Sequence, residues 1–427
     1  MNNMMFEDLR LHDNILCIDL KSFFASVECK ELGYDIFEVP LVVGMQDIES
    51  SVTLAATPKA KALGVKSRCR MYEIDPKLRK QLIFVKPSME KYIRESLNIV
   101  SLYLSMFSEE DVYIYSIDEC FIDVGPYFKL YSVSTKEEIA LLIKNKLYKE
   151  LGFHVAIGCG PNMLLSKLAL DLYSKDSKNN IASLEYSHIQ ERLWPINKLT
   201  DLWSIGPGRE KRLHKLGIYT IGDLAQFDVS KLSKSQGVIG EELVLLANGI
   251  DRSKVQEKLP QVKRKSIGLG QTLYENYYND DIKILIKEAI FDLSIQIVNL
   301  RNVCTNVTIS LGYDNNLNLP IFNRTTKFVP TNNYREIIEY AMELFDKHYI
   351  KDSGVRKVMV SLSGLEDYTY LQLNIFRANM SRELDLDESI ASLKQKYGND
   401  IIYMAISNLD KANQKYRDTL LGGHRAK

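Results

Sequence analysis

The chain has 427 residues, of which 45% are hydrophobic and 26% are charged. This balance predicts a globular protein of about two to four domains, and no apolar run reaches the roughly 20 residues of a membrane helix. The polar, acidic start MNNMMFEDLRLHDN is unlike a signal peptide, so we expect a cytoplasmic protein with no membrane partner.

The 55 basic and 55 acidic residues cancel, which by itself argues against a nucleic-acid-binding protein. Their distribution favours one, because residues 59–91 are rich in Lys and Arg, and Lys263, Arg264 and Lys265 form a second basic cluster. Solvated surface charge is the alternative interpretation of either cluster. The six scattered cysteines contain no Cys-x-x-Cys pair, and we expect buried small side chains rather than a zinc site or disulfides.

The first predicted element is a buried strand over residues 14–20, an apolar run that contains Asp19 near its end. A helix is predicted to follow directly, because apolar residues recur at helical spacing over residues 21–32. An acidic side chain at such a strand–helix junction is well placed to bind a ligand.

Residues 111–124 predict two strands, because aromatic and β-branched residues dominate both halves of the segment. Asp118 and Glu119 lie between the halves, where we expect a two-residue hairpin turn. At the tip of such a turn, both carboxylates can face the same site. A polar turn without function is the alternative. A helix from Lys136 to Leu151, a strand over 153–159 and a helix from Met163 follow, so residues 1 to about 195 predict an α+β domain around a small sheet.

The composition changes after residue 195, where the pattern predicts a helix, a Gly-Pro-Gly turn and a second helix. A second α+β domain is predicted from residue 263 to about 366. Its elements are strands near 265–273, 305–312, 321–329 and 355–363 and helices near 280–300 and 334–348. The last fifty or so residues have a polar, helical pattern, and we expect a loosely attached tail.

Three carboxylates, those of Asp19, Asp118 and Glu119, stand out as candidate metal ligands. Mg²⁺ prefers hard oxygen ligands, and two such ions can activate a hydroxyl and stabilise a leaving group in phosphoryl transfer. A strand-end Asp beside a paired Asp-Glu supplies oxygens from separate elements.

Two segments resemble signatures of the Y-family DNA polymerases, namely DLKSFFASVE at residues 19–28 and YSIDE at residues 115–119. The order of the two segments and the basic segment between them also match the family. The resemblance extends from residue 14 to about 376. Within the family, the chain is more similar to the UmuC-like repair polymerases of Gram-positive bacteria than to the DinB type. The family usually has a second Asp two residues after the first, where this chain has Lys21.

The resemblance implies a low-fidelity, template-directed DNA polymerase without proofreading, which performs translesion synthesis in DNA repair and the SOS response. Asp19, Asp118 and Glu119 would be catalytic and, with the backbone carbonyl of Leu20, would hold two Mg²⁺ ions, for which Mn²⁺ can substitute. The substrates would be primer-template DNA and deoxynucleoside triphosphates.

The same resemblance implies residues that contact the nucleotide. Phe24 would be the steric gate that excludes a ribose 2′-hydroxyl, and Phe23 would also contact the nucleotide; a core aromatic is the alternative role for Phe24. Lys61 and Lys175 would contact the triphosphate, although Lys175 can also be a surface lysine. DinB-type members have Tyr and Arg where this chain has Pro58 and Lys61.

The implied DNA contacts lie further along the chain. Gly206 and Gly208 belong to a segment that resembles a helix-hairpin-helix, whose glycines let backbone N–H groups approach a phosphate; a plain αα-hairpin is the alternative. Lys263, Arg264 and Lys265 would follow the template backbone, with a salt-dependent contribution to binding.

Residues 372–376, QLNIF, resemble the short bacterial peptide that binds the sliding clamp. Gln372, Leu373 and Phe376 would make the contacts, the last two as apolar anchors. A final β-strand is the alternative.

The implied fold class is α+β and multidomain, and we expect a monomer. It would comprise a palm with an antiparallel or mixed sheet (1–29 and 81–195), small fingers (30–80), a helical thumb with the helix-hairpin-helix (196–260), an α+β little finger (261–368) and a tail with the clamp peptide (369–427). Two other classes compete with this interpretation. Nucleotide cyclases and two-metal nucleases also use paired carboxylates, and a DNA-bound scaffold could use the same binding modules without catalysis.

Overall fold

A computed structural model of the chain describes residues 7–175, 177, 179–257, 265–368, 380–421 and 424–426. The chain divides into two compact units, Met1–Pro260 and Gln261–Lys427. Both units combine sheets with helices, so the predicted α+β, multidomain class is confirmed. Among the described residues, no helix has the length and apolar character needed to cross a membrane.

The first unit has two sheets and a helical part. Its strands are β1 (Ile15–Leu20), β2 (Leu41–Val43), β3 (Ala55–Ala56), β4 (Ile83–Val85), β5 (Val112–Ile114), β6 (Glu119–Asp123), β7 (Val155–Gly160) and β8 (Ile181–Ser183). Its α-helices are α1 (Phe23–Leu32), α2 (Pro58–Ala62), α3 (Pro76–Arg79), α4 (Met89–Leu104), α5 (Phe128–Tyr131), α6 (Lys136–Leu151), α7 (Met163–Ala169), α8 (Pro207–His214), α9 (Ile221–Ala225), α10 (Val229–Gln236) and α11 (Val238–Ala247).

The larger sheet has the order β5-β6-β1-β7-β8, with β1 at its centre and antiparallel to both neighbours. Side chains alternate between the two faces of β1. Leu16 and Ile18 pack with α4 and α6 on one face, and Cys17 packs with Phe121 and α7 on the other. Since both faces are covered, β1 is apolar along nearly its whole length, and a carboxylate at position 19 is an exception that needs an explanation.

A three-stranded sheet of order β3-β2-β4 has its own small core. That core includes Val42, Ala56, Met71 and Ile74, and α2 packs against it through Ala60. Thr57 caps α2, because its hydroxyl accepts a hydrogen bond from the Ala60 N–H at 3.2 Å. The other face of this sheet, through Leu41 and Val43 of β2, packs on the core of the larger sheet, so α2 is attached to that core.

Helices α8 to α11 form the helical part of the first unit, around a core that includes Leu213, Leu224 and Leu243. The prediction of a helix on each side of Gly-Pro-Gly is wrong in one respect. A helix, α8, follows the turn, but a single 3₁₀ turn, Leu199–Asp201, lies before it. Leu199 and Leu202 of that region are fully buried in the same core.

The second unit is built on a four-stranded antiparallel sheet of order β11-β10-β12-β9. Its strands are β9 (Ser266–Tyr277), β10 (Asn302–Tyr313), β11 (Phe322–Thr331) and β12 (Val355–Ser363), with β13 (Glu366–Asp367) paired to β10. Two helices, α12 (Asn279–Asn299) and α13 (Tyr334–His348), cover one face. The predicted order of four strands and two helices is therefore present. β12 has the predicted bounds, and the other three strands are longer than expected.

The prediction of a loosely attached tail is wrong for the described part of residues 380–426. It contains α14 (Met380–Tyr397), α15 (Gln414–Arg417) and a short pair of strands, β14 (Leu420–Leu421) and β15 (His424–Arg425). Ala391 of α14 packs against the apolar face of α12 that includes Phe291 and Ile295. The segment is held because it covers apolar side chains and pairs with buried charges of α12, as in the ion pair of Arg417 with Asp292.

Candidate active site

Strand pairing brings the predicted acidic residues together. In the register of β1 and β6, Asp19 lies opposite Glu119, and the N–H of Leu20 donates to the carbonyl of Asp118 at 3.0 Å. Directly opposite residues of an antiparallel pair share one face of the sheet, so the side chains of Asp19 and Glu119 are neighbours. The predicted two-residue turn is wrong, because Glu119 is the first residue of β6 and the loop between the strands spans residues 115–118.

The site carries an excess of negative charge around a buried carboxyl group. Burial, followed by the negative charges of Asp118 and Glu119, raises the pKa of Asp19 to about 7. The positive charges of Lys167 and Lys175 act in the opposite direction. Carboxylates that raise one another's pKa in this way are stabilised by a cation between them. The donor set of carboxylate oxygens matches the preference of Mg²⁺.

Lys167 of α7 takes part in the site, and sequence reasoning missed it. Its Nζ lies 2.7 Å from Oε1 of Glu119, and the thiol of Cys17 donates to the same oxygen at 3.1 Å. With Glu119 held in this way, no group of three or more His, Cys, Asp or Glu side chains within the described ranges already has metal-binding geometry.

The sequence contained a signal for Lys167. The residues around it on α7, Leu164, Leu165, Leu168 and Ala169, are all buried. A lysine at a position surrounded by core residues is rare unless its charge is paired. The burial pattern of α7 could thus have indicated a carboxylate partner, although not which one.

Phe24, the predicted gate, is only partly buried and stacks on Tyr92 of α4. The ring centroids are 4.4 Å apart, with an interplanar angle of 20°. Tyr92 is fully buried, and its hydroxyl donates to Oε1 of Glu28 at 2.7 Å, while Lys91 donates to Oε2 at 2.9 Å. The ring of Phe24 therefore has a rigid backing, because its support is tied to a buried, fully paired carboxylate. Phe23, by contrast, is buried in the core.

The two predicted triphosphate lysines belong to different elements. Nζ of Lys61 donates to Oγ of Ser22 at 3.0 Å, which joins α2 to the junction of β1 and α1. Lys175 follows a π-helical turn, Leu170–Ser174, at the end of α7. The charge of Lys175 lowers the pKa of Asp19 and also, after burial, the pKa of Lys61, so these groups interact electrostatically.

Comparison with known proteins identifies the family. Residues 18–171 match the impB/mucB/samB family, and residues 264–375 match the C-terminal domain of that family. A protein of Bacillus subtilis (strain 168) named for UV-damage repair, UvrX, is 35% identical over 419 residues, which cover 97% of this chain and 98% of the relative. DNA polymerase IV 2 of the same organism is 32% identical over 416 residues, covering 96% and 98%.

The chain belongs to the Y family of DNA polymerases. Membership confirms the predicted family and the predicted enzyme class, a DNA-directed DNA polymerase of DNA repair. A solved Y-family DNA polymerase chimera, Dbh-Dpo4(243-245)-Dbh, has the same fold, with a TM-score of 0.63 at 23% identity over 83% of this chain and 100% of the chimera.

Only some of the other residues predicted from the Y-family resemblance lie in the part of the chain that the structure describes. Gly206 and Gly208 are exposed around the start of α8, and a Cβ atom at either position would meet nothing within 4 Å. Lys265 is exposed just before β9. The remaining predicted contacts lie outside the described residues, and they are Lys263, Arg264, Gln372, Leu373 and Phe376.

Proposed function

We propose that this Y-family polymerase copies damaged templates with low fidelity and without proofreading, by two-metal nucleotidyl transfer. The observation that carries the proposal is the strand register that places Asp19 beside Glu119, with Asp118 next to it in the chain. The raised pKa of Asp19 supports it, because a bound cation would offset the repulsion between this carboxyl group and the negative charges around it.

Asp19, Asp118 and Glu119, with the backbone carbonyl of Leu20, would hold two Mg²⁺ ions, and Mn²⁺ can substitute. Bound there, the ions supply Lewis-acid chemistry: they lower the pKa of a hydroxyl and neutralise charge on phosphates. Lys167 holds the Glu119 carboxylate in position through its ion pair with Oε1.

In the reaction, the primer 3′-hydroxyl attacks the α-phosphorus of a deoxynucleoside triphosphate. A new phosphorus–oxygen bond extends the primer, and the bond to the β-phosphate oxygen breaks, so that pyrophosphate leaves with its electron pair. Lys61 and Lys175 hold the triphosphate as point charges. Phe24, with Phe23 behind it, closes the space that a 2′-hydroxyl would need.

The domain arrangement proposed for the chain assigns residues 1–29 and 81–195 to the palm, 30–80 to the fingers, 196–260 to the thumb and 261–368 to the little finger. Low fidelity follows from the size of the fingers, whose small core supports little surface to enclose a new base pair. Geometric selection is weak where a pocket excludes wrong shapes poorly.

Contacts to DNA and to the clamp complete the proposal. Gly206 and Gly208 leave the start of α8 open to a phosphate, and such a contact positions the duplex without reading its sequence. Lys263, Arg264 and Lys265 follow the template backbone. Residues 372–376 bind the sliding clamp, with Leu373 and Phe376 as apolar anchors, which keeps the polymerase at the primer terminus.

Primer extension on undamaged and lesion-bearing templates with Mg²⁺ tests the proposal. We expect extension by the wild type, bypass of the lesion, and no extension by a variant that combines Asp118→Ala with Glu119→Ala. Glu110→Ala is the matched control, because this exposed acid lies outside the site and should leave extension unchanged. Extension by the double variant would instead favour a scaffold role, and strand cleavage or cyclic-nucleotide formation would favour the rival enzymes.

A further inference from the structure

Tyr115 continues the pairing of the strands that carry the acidic residues. Its N–H donates to the carbonyl of Glu119 at 3.0 Å, one residue beyond the pair of Ile114 with Cys120. Glu119 in turn lies opposite Asp19 in the register of β1 and β6. Opposite residues of antiparallel strands share a face of the sheet. Asp19, Glu119 and Tyr115 therefore form one row on the same face.

The ring of Tyr115 is supported by other aromatic rings and is still exposed. It packs edge-to-face against the fully buried Phe121, with ring centroids 5.7 Å apart, and against Trp203 at 5.9 Å. Trp203 also stacks on Phe121 at 6.1 Å. Tyr115 nevertheless remains 42% exposed, and its hydroxyl has no hydrogen-bond partner among the described residues. The side chain thus combines a supported ring with an unused donor.

Trp203 connects this ring to the predicted DNA-binding turn. It lies three residues before Gly206, and a Cβ atom at Gly206 or Gly208 would meet nothing within 4 Å, so the turn is open to a phosphate. A DNA strand that contacts the turn and ends at the acidic residues crosses the surface between them. Tyr115 lies on that surface, because it is beside Glu119 and in contact with Trp203.

We propose that Tyr115 binds the 3′ end of the primer strand. Its ring packs against the terminal sugar, and its hydroxyl donates to the last internucleotide phosphate. Exposed aromatic rings are common platforms for nucleotides, and Tyr hydroxyls are among the usual donors to DNA phosphates. The inference rests on the proposed function and adds a contact for the primer to those proposed for the nucleotide.

The incoming nucleotide is the alternative occupant, and the packing around Tyr115 argues against it. Phe24, the predicted gate, packs with the core that lies between the larger sheet and α4, and it stacks on Tyr92 of α4. Tyr115 instead contacts Phe121 and Trp203, which pack in the core on the opposite face of β1. The nucleotide and the primer end therefore reach the acidic residues from different sides.

The test combines variants of the full-length chain with three primers. One primer is unmodified, and the second has an uncharged methylphosphonate at its last internucleotide linkage. The third has the same modification well upstream of the 3′ end, which controls for the loss of charge itself. Tyr115→Phe removes the hydroxyl and keeps the ring, whereas Tyr115→Ala removes both. Tyr148→Ala is the matched control, because this exposed ring on α6 also contacts an aromatic side chain, His154, at 4.8 Å.

Single-nucleotide insertion under single-turnover conditions gives the maximal rate and the nucleotide concentration at half-maximal rate. Fluorescence anisotropy gives the Kd of each primer-template without turnover, and thermal unfolding shows whether each variant is folded.

We expect the terminal methylphosphonate to lower the maximal rate of the wild type about tenfold, equivalent to about 1.4 kcal/mol. Tyr115→Phe should lower the rate on the unmodified primer by a similar factor. The terminal methylphosphonate should then lower the rate of this variant by no more than about twofold, because the donor to that phosphate is already missing. Tyr115→Ala should be slower still, and the nucleotide concentration at half-maximal rate should stay at the wild-type value.

The proposal is overturned if folded Tyr115→Phe extends the unmodified primer at the wild-type rate. It is also overturned if the terminal methylphosphonate slows this variant as much as it slows the wild type, because Tyr115 then acts only through the structure of the site. A rise in the half-maximal nucleotide concentration at an unchanged rate would assign Tyr115 to the incoming nucleotide. Failure of the wild type to extend the unmodified primer would instead refute the proposed function, so the two failures are distinguishable.

Discussion

Sugar selection should depend on Tyr92 as well as on Phe24. The ring of Phe24 excludes a 2′-hydroxyl only while it stays in place, and the stacked ring of Tyr92 lies behind it at 4.4 Å. Tyr92 cannot easily move, because its hydroxyl is bonded to the buried carboxylate of Glu28. Replacing Tyr92 by Leu removes the stacked ring, so the Phe24 ring should be displaced more easily by the 2′-hydroxyl of a ribonucleotide.

The size of the effect follows from the contact that is lost. An aromatic pair of this geometry contributes about 0.5–1.5 kcal/mol beyond its buried area. If that energy opposes displacement of the ring, its loss lowers discrimination against ribonucleotides by about 2- to 13-fold. Tyr92→Phe keeps the stack and removes the hydrogen bond to Glu28, so its effect on discrimination should be smaller. Phe24→Ala removes the obstacle itself and should have the largest effect.

The assay is single-nucleotide insertion, with discrimination measured as the ratio of kcat/KM for a deoxynucleotide to that for the matching ribonucleotide. Thermal unfolding shows whether each variant is folded at the assay temperature. Unchanged discrimination in folded Tyr92→Leu, beside a clear loss in Phe24→Ala, would refute the supporting role of Tyr92. Unchanged discrimination in Phe24→Ala would refute the gate.

Three further predictions concern the metal site, the second unit and the clamp. The pKa of Asp19 is raised from 3.8 to about 7 in the folded state, so protonation of this carboxyl group favours folding. This contribution to the free energy of unfolding is complete below pH 3.8 and is lost as the pH rises through 7. Mg²⁺ should therefore raise the Tm more at pH 8 than at pH 5.5, and an equal shift, or one that persists in Asp19→Asn, would contradict the site. Arg417→Ala should destabilise the second unit by about 1.5–3 kcal/mol in chemical denaturation, because it removes a charged partner of the largely buried Asp292, which keeps its hydrogen bond from Gln414. The exposed Lys415→Ala is the control, and a loss no larger than the control's would contradict the role of the pair. Deleting residues 372–376 should abolish clamp-stimulated processivity in a product-length assay while distributive extension continues; stimulation equal to the wild type's would exclude the peptide.

Local patterns in the sequence were sufficient for most elements. The predicted helix from Lys136 to Leu151 has the same bounds in the structure, because Thr135 caps its start and Gly152, with a φ of 75°, ends it. The strands and helices of the second unit were also predicted in order. Caps, glycines and hydrophobic periodicity act over a few residues, so they can be recognised without knowing the fold.

Contacts between distant segments could not be predicted in this way. The expected hairpin turn at Asp118 and Glu119 was displaced, because pairing with β1 extends β6 to include Glu119. The polar pattern of α14 was interpreted as a free tail, yet Asp387 of α14 is buried and forms an ion pair with Arg335 at 3.1 Å. A charged residue in a helix does not reveal whether its partner is solvent or a side chain fifty residues away.

By itself, the sequence determined the family and the enzyme class, since each depends on residue types and short spacings. It also predicted most elements in order and three acids as metal ligands. Only the tertiary structure decided which charges meet. It joined Lys167 to Glu119 and set Tyr92 behind Phe24. The physical reason is that strand register and helix packing bring side chains within a few ångströms across separations that no local pattern encodes.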